Sequence, residues 1–197
     1  MSLIIVGLGN PGEEYATTRH NTGRIVLEAM AKSAQANFSN DKKLNALVAR
    51  GSWDNHEVLF IAPNTFMNRS GESVKQKIKN SRQAKRFIVV HDDLDLPLGV
   101  MKISYNRGSG GHRGVASIIK LIKTQEFIRF RVGISPQTAS GKMKKPGGES
   151  VEKHIMGKFK PTELVVLKKV STIAIAAAKI IIADSNAGLA RAMTEYN

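Results

Sequence analysis

The sequence predicts an α/β fold, a sandwich in which a twisted mixed β-sheet is flanked by helices. Three observations carry this. Short apolar or β-branched runs bounded by Gly, Pro or Asn recur along the chain, amphipathic helical periods lie between them, and the two alternate. Leu3–Val6 is the first strand run and ends at Gly7. Ile25, Met30 and Ala34 then repeat at helical spacing, with Gly23 before them and Asn37 after. Ala46–Arg50 and Val58–Ala62 are strand runs, the second meeting Pro63. A helix over Val74–Ile78 is expected behind the capping candidate Ser70. Phe87–Val90 is wholly apolar, as a central strand requires, and Met101–Tyr105 follows as another strand. Val115–Ile122 has a helical period and Arg129–Ile134 is the last strand run. Residues 135–149 have turn chemistry, several lysines and no apolar period, which predicts a mobile basic loop. Pro161 fits the first turn of a long apolar-faced helix to about Ala183, and a short helix over Ala187–Thr194 follows, so the C-terminal helices occupy about 161–195 and should cover the sheet's open face. No internal repeat or linker interrupts the pattern, and 1–197 reads as a single domain.

Composition narrows the function. With 42% hydrophobic and 23% charged residues over 197 positions, the chain has the material for a folded core, which excludes disorder as its main state. Thirty Lys plus Arg against 16 Asp plus Glu leave a net charge of +14, which points to a polyanionic partner such as nucleic acid. The absence of cysteine excludes disulfides, thiolate nucleophiles and Cys-ligated metal, and fits a reducing cytoplasm. Val165–Ala183 is broken by Lys168, Lys169 and Lys179, so it predicts a buried-face helix rather than a membrane span. Met1–Val6 has no basic flank and is too short for a signal peptide.

Four segments carry chemistry. Gly7-Leu8-Gly9-Asn10-Pro11-Gly12 matches G-x-G-x-x-G by letter, but Pro11-Gly12 is a turn pair, the next helical period starts only near Gly23, and no strand-end acid follows about 20 residues on. A dinucleotide site, and with it a nicotinamide-dependent oxidoreductase, is therefore the weaker reading. The loop is better read as a rigid platform that presents the Asn10 amide. In Thr18-Arg19-His20-Asn21-Thr22-Gly23 a histidine precedes a helix. Phe87–Val90 runs into His91-Asp92-Asp93-Leu94-Asp95, and carboxylates at a strand end are where α/β folds build sites. Such an acid can hold an imidazole in one tautomer. A divalent-metal cluster is less favoured, because Asp92 and Asp93 alternate to opposite sides of an extended chain. Asn68 stands at an expected helix start after Phe66 and Met67, and Arg107-Gly108-Ser109-Gly110-Gly111-His112-Arg113-Gly114 is a glycine-rich basic loop before a helix, a geometry that suits phosphate or an oxyanion.

Taken together, Val6–Gly12, Tyr15, Thr18-Arg19-His20-Asn21, Thr65–Gly71, His91–Pro97 and Gly110-Gly111-His112 resemble the bacterial peptidyl-tRNA hydrolase family, and His154–Phe159 resembles the start of that family's lid region. The resemblance implies cleavage of the ester between a peptide and the ribose of tRNA, with peptidyl-tRNA as partner, no cofactor, no metal and no membrane. It also implies a cytoplasmic monomer without an obligate protein partner. With no cysteine and no G-x-S-x-G elbow, water is the simpler nucleophile. His20 is then the expected general base, Asp92 its orienting acid, and Asn10 a catalytic amide facing the ester oxygen. Tyr15, Phe66, Asn68 and His112 match substrate-contact positions, and Lys102 and Arg131 match basic positions near the tRNA 5′ phosphate. Two residues depart from the pattern. Ser104 stands at another basic position of that patch, where Arg107, Arg129 and the lysines of 142–145 could compensate, and Arg113 stands where the family usually has Asn. Arg113 is expected to contact substrate, as a phosphate or carbonyl ligand, but it cannot accept a hydrogen bond. The alternative reading is a catalytically weak or silent RNA-binding relative.

Overall fold

A computed structural model of the chain describes residues 2–138, 140–184 and 186–197, so that Ala139 of the expected basic loop lies outside the described residues. The elements are β1 (Leu3–Gly7), α1 (Thr22–Ser33), β2 (Ser39–Asp41), β3 (Ala46–Trp53), β4 (His56–Pro63), α2 (Ser81–Ala84), β5 (Phe87–Pro97), β6 (Met101–Tyr105), α3 (Arg113–Ile122), β7 (Ile128–Ser135), α4 (Ser150–Met156), α5 (Pro161–Ala183) and α6 (Gly188–Tyr196). The strands form one mixed sheet in the order β2-β3-β4-β1-β5-β7-β6. Its centre, β4-β1-β5-β7, is parallel, and β3 and β6 join from either side antiparallel. This is the α/β sandwich that the alternating pattern predicts.

Period-two alternation sorts the strand residues between two cores. Leu3, Ile5, Ile88, Val90, Phe130 and Val132 face Val26, Leu27 and Met30 of α1 and Leu167, Val170 and Ala174 of α5. Val6, Ile61, Phe87 and Val89 face Met67 and, from α3, Val115 and Ile118. Burying side chains of this size contributes roughly 1.5–3 kcal/mol each. α5 begins at Pro161 as expected and packs with α1 and α6 on one side of the sheet, while the Asn197 amide pairs with the N–H and C=O of Ile103 and occupies the exposed edge of β6. No helix among the described residues is long and apolar enough to cross a membrane.

Three local expectations need correction. Val74–Ile78 is not an α-helix; a 3-10 helix, Met67–Ser73, precedes it and the chain then continues in turns. Tertiary anchors decide this, since Gly71 N–H donates to Ser117 Oγ, Ser73 Oγ donates to the Asn45 carbonyl, and a Cβ at Gly71 would lie 2.4 Å from the Ser117 carbonyl oxygen. β5 does not stop at Val90, because His91, Asp92 and Asp93 stay paired with Arg131, Val132 and Gly133 of β7. β7 does not stop at Ile134 but extends to Ser135, the first residue of the expected basic loop, and within that loop Gln137 bridges Met143 and Lys145 pairs with Asp95.

Candidate active site

The candidate side chains gather at the carboxyl ends of β1 and β4 and on the stretch of β5 after Val90. Gly23 makes this possible at the start of α1: a Cβ there would lie 2.3 Å from the Val90 carbonyl oxygen, so only glycine lets the helix close on the strand ends. The backbone then turns sharply at Gly12 (φ 110°) into a 3-10 turn, Glu13–Tyr15, and the α-helix waits until Thr22. A dinucleotide fingerprint opens a helix directly from its glycines, and this loop does not.

Three positions lock together first. Asn21 accepts a hydrogen bond from Asn10 N–H (2.9 Å) and donates one to the Asn10 carbonyl (2.9 Å), so one amide satisfies both backbone groups of Asn10. The Asn10 side-chain oxygen accepts from Met67 N–H (2.8 Å). That bond settles the amide's orientation and leaves the Asn10 NH₂ as the donor not used in holding the loop. It also ties the β1 loop to the 3-10 helix whose neighbouring residues are Phe66, 59% exposed, and the exposed Asn68.

His20 lies on a second 3-10 turn, Arg19–Asn21, and its Nδ1 is 3.0 Å from both carboxylate oxygens of Asp92. The 3-10 turn and β5 thus bring together two groups 72 residues apart. His112 reaches the same carboxylate through Nε2, at 3.0 Å. Its Nδ1 accepts from the N–H groups of Gly114 and Val115 and so caps α3. This double acceptance places the His112 proton on Nε2, which must then donate to Asp92. Asp92, an ionised acceptor, likewise takes Nδ1–H from His20, and the His20 Nε2 lone pair is left free for base work.

The electrostatics agree with that pattern. Burial pushes the His20 imidazole down, but the charge and hydrogen bond of Asp92 outweigh it and hold the group above its ordinary value, with Arg113 acting in the opposite direction. Burial pushes the Asp92 carboxyl up, and the two imidazoles overcome this and hold it well below the usual carboxylate range. His91 is different. Burial, His112 and Arg129 press it well below the ordinary histidine value, and its Nδ1 is bonded to the Asp92 carbonyl at 2.7 Å. At 1% exposure it is a neutral packing partner for His112, with ring centroids 4.7 Å apart, and no substrate could reach it.

His20, Asp92 and His112 offer donor atoms within 4.8 Å of one another, which raises the question of a metal. Ligation would need a lone pair on His112 Nε2, and the α3 cap places a proton there. What the trio shows is hydrogen bonding of both imidazoles to Asp92.

Asp93 turns to the other side of β5, as strand alternation requires, and its Oδ2 accepts from Arg131 Nε at 2.7 Å. Arg131 pairs across the sheet with Lys102, and Arg129 with Ser104, which gathers these cations on the neighbouring strands β6 and β7. Arg129 is 5% exposed, its Nε has no hydrogen-bond partner, and burial, aided by Arg131, lowers its affinity for its proton. Tyr15 is half-buried on the turn before His20, where its carbonyl accepts from both N–H and Oγ1 of Thr18. Arg113 is exposed at the first position of α3. The sequence reading overlooked Asn21 and Arg19 as site-building residues and did not separate His91 from its neighbours. Adjacency to His20 was the only available signal for the first two.

Residues 4–197 match the family model described as peptidyl-tRNA hydrolase. The peptidyl-tRNA hydrolase of Aquifex aeolicus (strain VF5) is 42% identical over 168 residues, covering 85% of this chain and 83% of that relative. That of Syntrophotalea carbinolica is 35% identical over 196 residues, covering 98% of this chain and 96% of the relative. The crystal structure of peptidyl-tRNA hydrolase from Acinetobacter baumannii superposes with a TM-score of 0.85 at 34% identity, covering 100% of this chain and 94% of that one. Sequence and architecture therefore agree over nearly the whole length, and the chain belongs to the peptidyl-tRNA hydrolase family.

Proposed function

We propose that the chain hydrolyses the ester between the terminal carbonyl of a peptide and the terminal ribose of tRNA, using a water molecule that His20 deprotonates. The observation that carries this reading is the contact of His20 Nδ1 with both Asp92 oxygens, which leaves Nε2 as the base. In the forward step Nε2 takes a proton from water and the nascent hydroxide attacks the carbonyl carbon. The carbonyl oxygen gains negative charge and the Asn10 NH₂ stabilises it; one such donor is worth about 10²–10³ in rate. Collapse breaks the bond to the ribose oxygen, which takes the proton from Nε2–H, and the products are a free peptide acid and a tRNA hydroxyl. Asp92 stabilises the imidazolium between these two events.

The remaining roles follow the same reading. His112 holds Asp92 in place from α3 and thereby acts on the base indirectly. Phe66 offers a ring to solvent next to Met67, whose N–H is bonded to Asn10, and is suited to stacking on a base or packing on the peptide, and Tyr15 and Asn68 contribute further substrate contacts. Lys102 and Arg131, supported by the poorly satisfied Arg129, take an RNA phosphate, with Ser104 no longer contributing charge. The same reading describes a metal-free monomer acting in the cytoplasm, where its tRNA substrate is found.

The test is ester cleavage of an N-blocked aminoacyl-tRNA beside its unblocked counterpart, each with and without EDTA. The expected result is preferential cleavage of the blocked form, unchanged by the chelator. Salt-sensitive RNA binding without cleavage would instead identify a silent relative, and inhibition by EDTA reversed by Mg²⁺ would overturn the metal-free mechanism.

Arg113 gives a separate expectation. His20 works as the neutral base, so the rate is lost as pH falls through its pKa. Arg113 holds that pKa down, and Arg113→Asn should therefore move the acid limb of the kcat profile to higher pH. A KM increase should accompany the shift if the guanidinium also binds substrate. A pH profile that superposes on the wild type would remove Arg113 from the electrostatics of the base.

A further inference from the structure

We infer that Arg19 and Glu163 are positioning residues for His20, a strap that fixes the base-bearing turn to the N-terminal end of α5. The inference rests on the reading of His20 as general base. His20 itself makes one side-chain attachment, the bond from Nδ1 to Asp92, so the accuracy of its Nε2 depends on how firmly the backbone of residues 17–21 is held. Two opposed anchors hold it. On one side Asn21 grips both backbone groups of Asn10. On the other, Arg19 contacts four residues, three in the segment that joins α4 to α5 and the fourth, Glu163, in the first turn of α5. Its N–H donates to the Gly157 carbonyl (3.0 Å), Nη1 donates to the Lys158 carbonyl (3.0 Å), Nη2 meets both carboxylate oxygens of Glu163 (3.0 and 2.8 Å), and the guanidinium lies 5.2 Å over the Phe159 ring.

The neighbours of Arg19 join the same segment, through the bridge between Thr18 and Lys158 and the bond from Phe159 N–H to the Thr17 carbonyl. Glu163 is itself oriented, because its Oε2 accepts from Lys160 N–H at 2.7 Å in a capping box on α5. The pair is also largely screened from water, with side-chain exposures of 13% for Arg19 and 21% for Glu163, so its geometry is held more tightly than that of a surface ion pair. On the His20 side these contacts fall at Thr17, Thr18, Arg19 and Asn21, one to three residues from the imidazole. A base must sit within hydrogen-bond reach of its water, and a misplacement of about 1 Å can cost on the order of 10²-fold in rate. Loss of the strap would leave the turn held by Asn21 and by the backbone bonds of Thr17, Thr18 and Arg19, with no side-chain clamp to α5, and let the imidazole shift about its bond to Asp92.

A strap that served only to hold α5 would change thermal stability and leave kcat alone, which gives the test its contrast. The experiment compares wild type, Arg19→Ala, Arg19→Lys, Glu163→Gln and His20→Ala on N-blocked aminoacyl-tRNA, with kcat, KM and Tm measured for each and the Nδ1–H proton resonance of His20 followed by NMR. Glu163→Gln is included because it keeps the oxygen that caps α5 and removes only the charge. The expected result is a kcat about tenfold lower for Arg19→Ala, with KM within about twofold, partial recovery in Arg19→Lys, a smaller loss in Glu163→Gln, and a broadened Nδ1–H resonance in the impaired variants. Should Arg19→Ala fail to fold, Glu163→Gln and Arg19→Lys still read the effect. Full kcat and an unbroadened resonance in these variants, beside an inactive His20→Ala, would overturn the inference while the hydrolase reading stands. An inactive wild type would overturn the hydrolase reading, a fully active His20→Ala would overturn His20 as the base, and in either case the Nδ1–H resonance of the Arg19 and Glu163 variants would decide by itself whether the strap orders the ring.

Discussion

Replacing His20 with Ala is expected to lower kcat on N-blocked aminoacyl-tRNA by about 10²–10⁴-fold, the range a positioned general base supplies. Affinity for tRNA should stay close to that of the wild type, because the cations proposed to meet phosphate, Lys102, Arg131 and Arg129, lie on β6 and β7 and make no hydrogen bond to the imidazole. Single-turnover cleavage measured beside equilibrium tRNA binding separates the two quantities. A parallel loss of both would mean that His20 holds the turn rather than the proton. The backbone of that turn is secured independently through Asn21 and Arg19, so the Ala variant should keep its fold.

Asp92→Asn is the second large effect. The carboxylate receives hydrogen bonds from His20 and His112 and is 4% exposed. An amide has nearly the same shape but carries one oxygen and one NH₂. His112, with its proton committed to Nε2 by the α3 cap, claims the oxygen. The NH₂ then faces His20 and asks Nδ1 to accept, which moves the ring proton to Nε2 and removes the base from the position where water must be deprotonated. A loss of about 10³–10⁴ in kcat is expected, similar to a tautomer reversal in a hydrolase triad. Because Asp92 also holds the His20 pKa up, the residual activity should keep its acid limb at lower pH than the wild type. The pH dependence of kcat and a circular dichroism spectrum check both statements, and a wild-type rate in a folded Asp92→Asn variant would remove the carboxylate from the mechanism.

Much of the fold was legible because burial writes itself into periodicity. Phe87–Val90 had to be a central strand, and Val115–Ile122 had to be a helix with one apolar stripe, wherever the rest of the chain lay. The 3-10 helix Met67–Ser73 was not legible. Its conformation answers to the Ser117 and Asn45 contacts, which lie 46 and 28 residues away. β5 ran past its expected end for a related reason: pairing with β7 keeps polar His91, Asp92 and Asp93 extended, although strand propensity favours none of the three strongly. β2, α2 and α4 are too short for their periods to stand out from the flanking turns.

The site divides along the same line. Its residue types were readable, since only a few side chains can accept a proton near neutral pH, orient an imidazole or donate to an oxyanion. Strand alternation alone sent Asp92 and Asp93 to opposite sides. What the tertiary structure decided was which hydrogen-bond partners each histidine meets. His20, His91 and His112 all stand beside Asp92. One is left with a free Nε2, one is sealed in the core, and one has its lone pair taken by a helix cap, because hydrogen bonds assign protons only after distant segments have met. Local sequence sets what a side chain is able to do; the partners that packing brings to its second polar atom set what it is free to do.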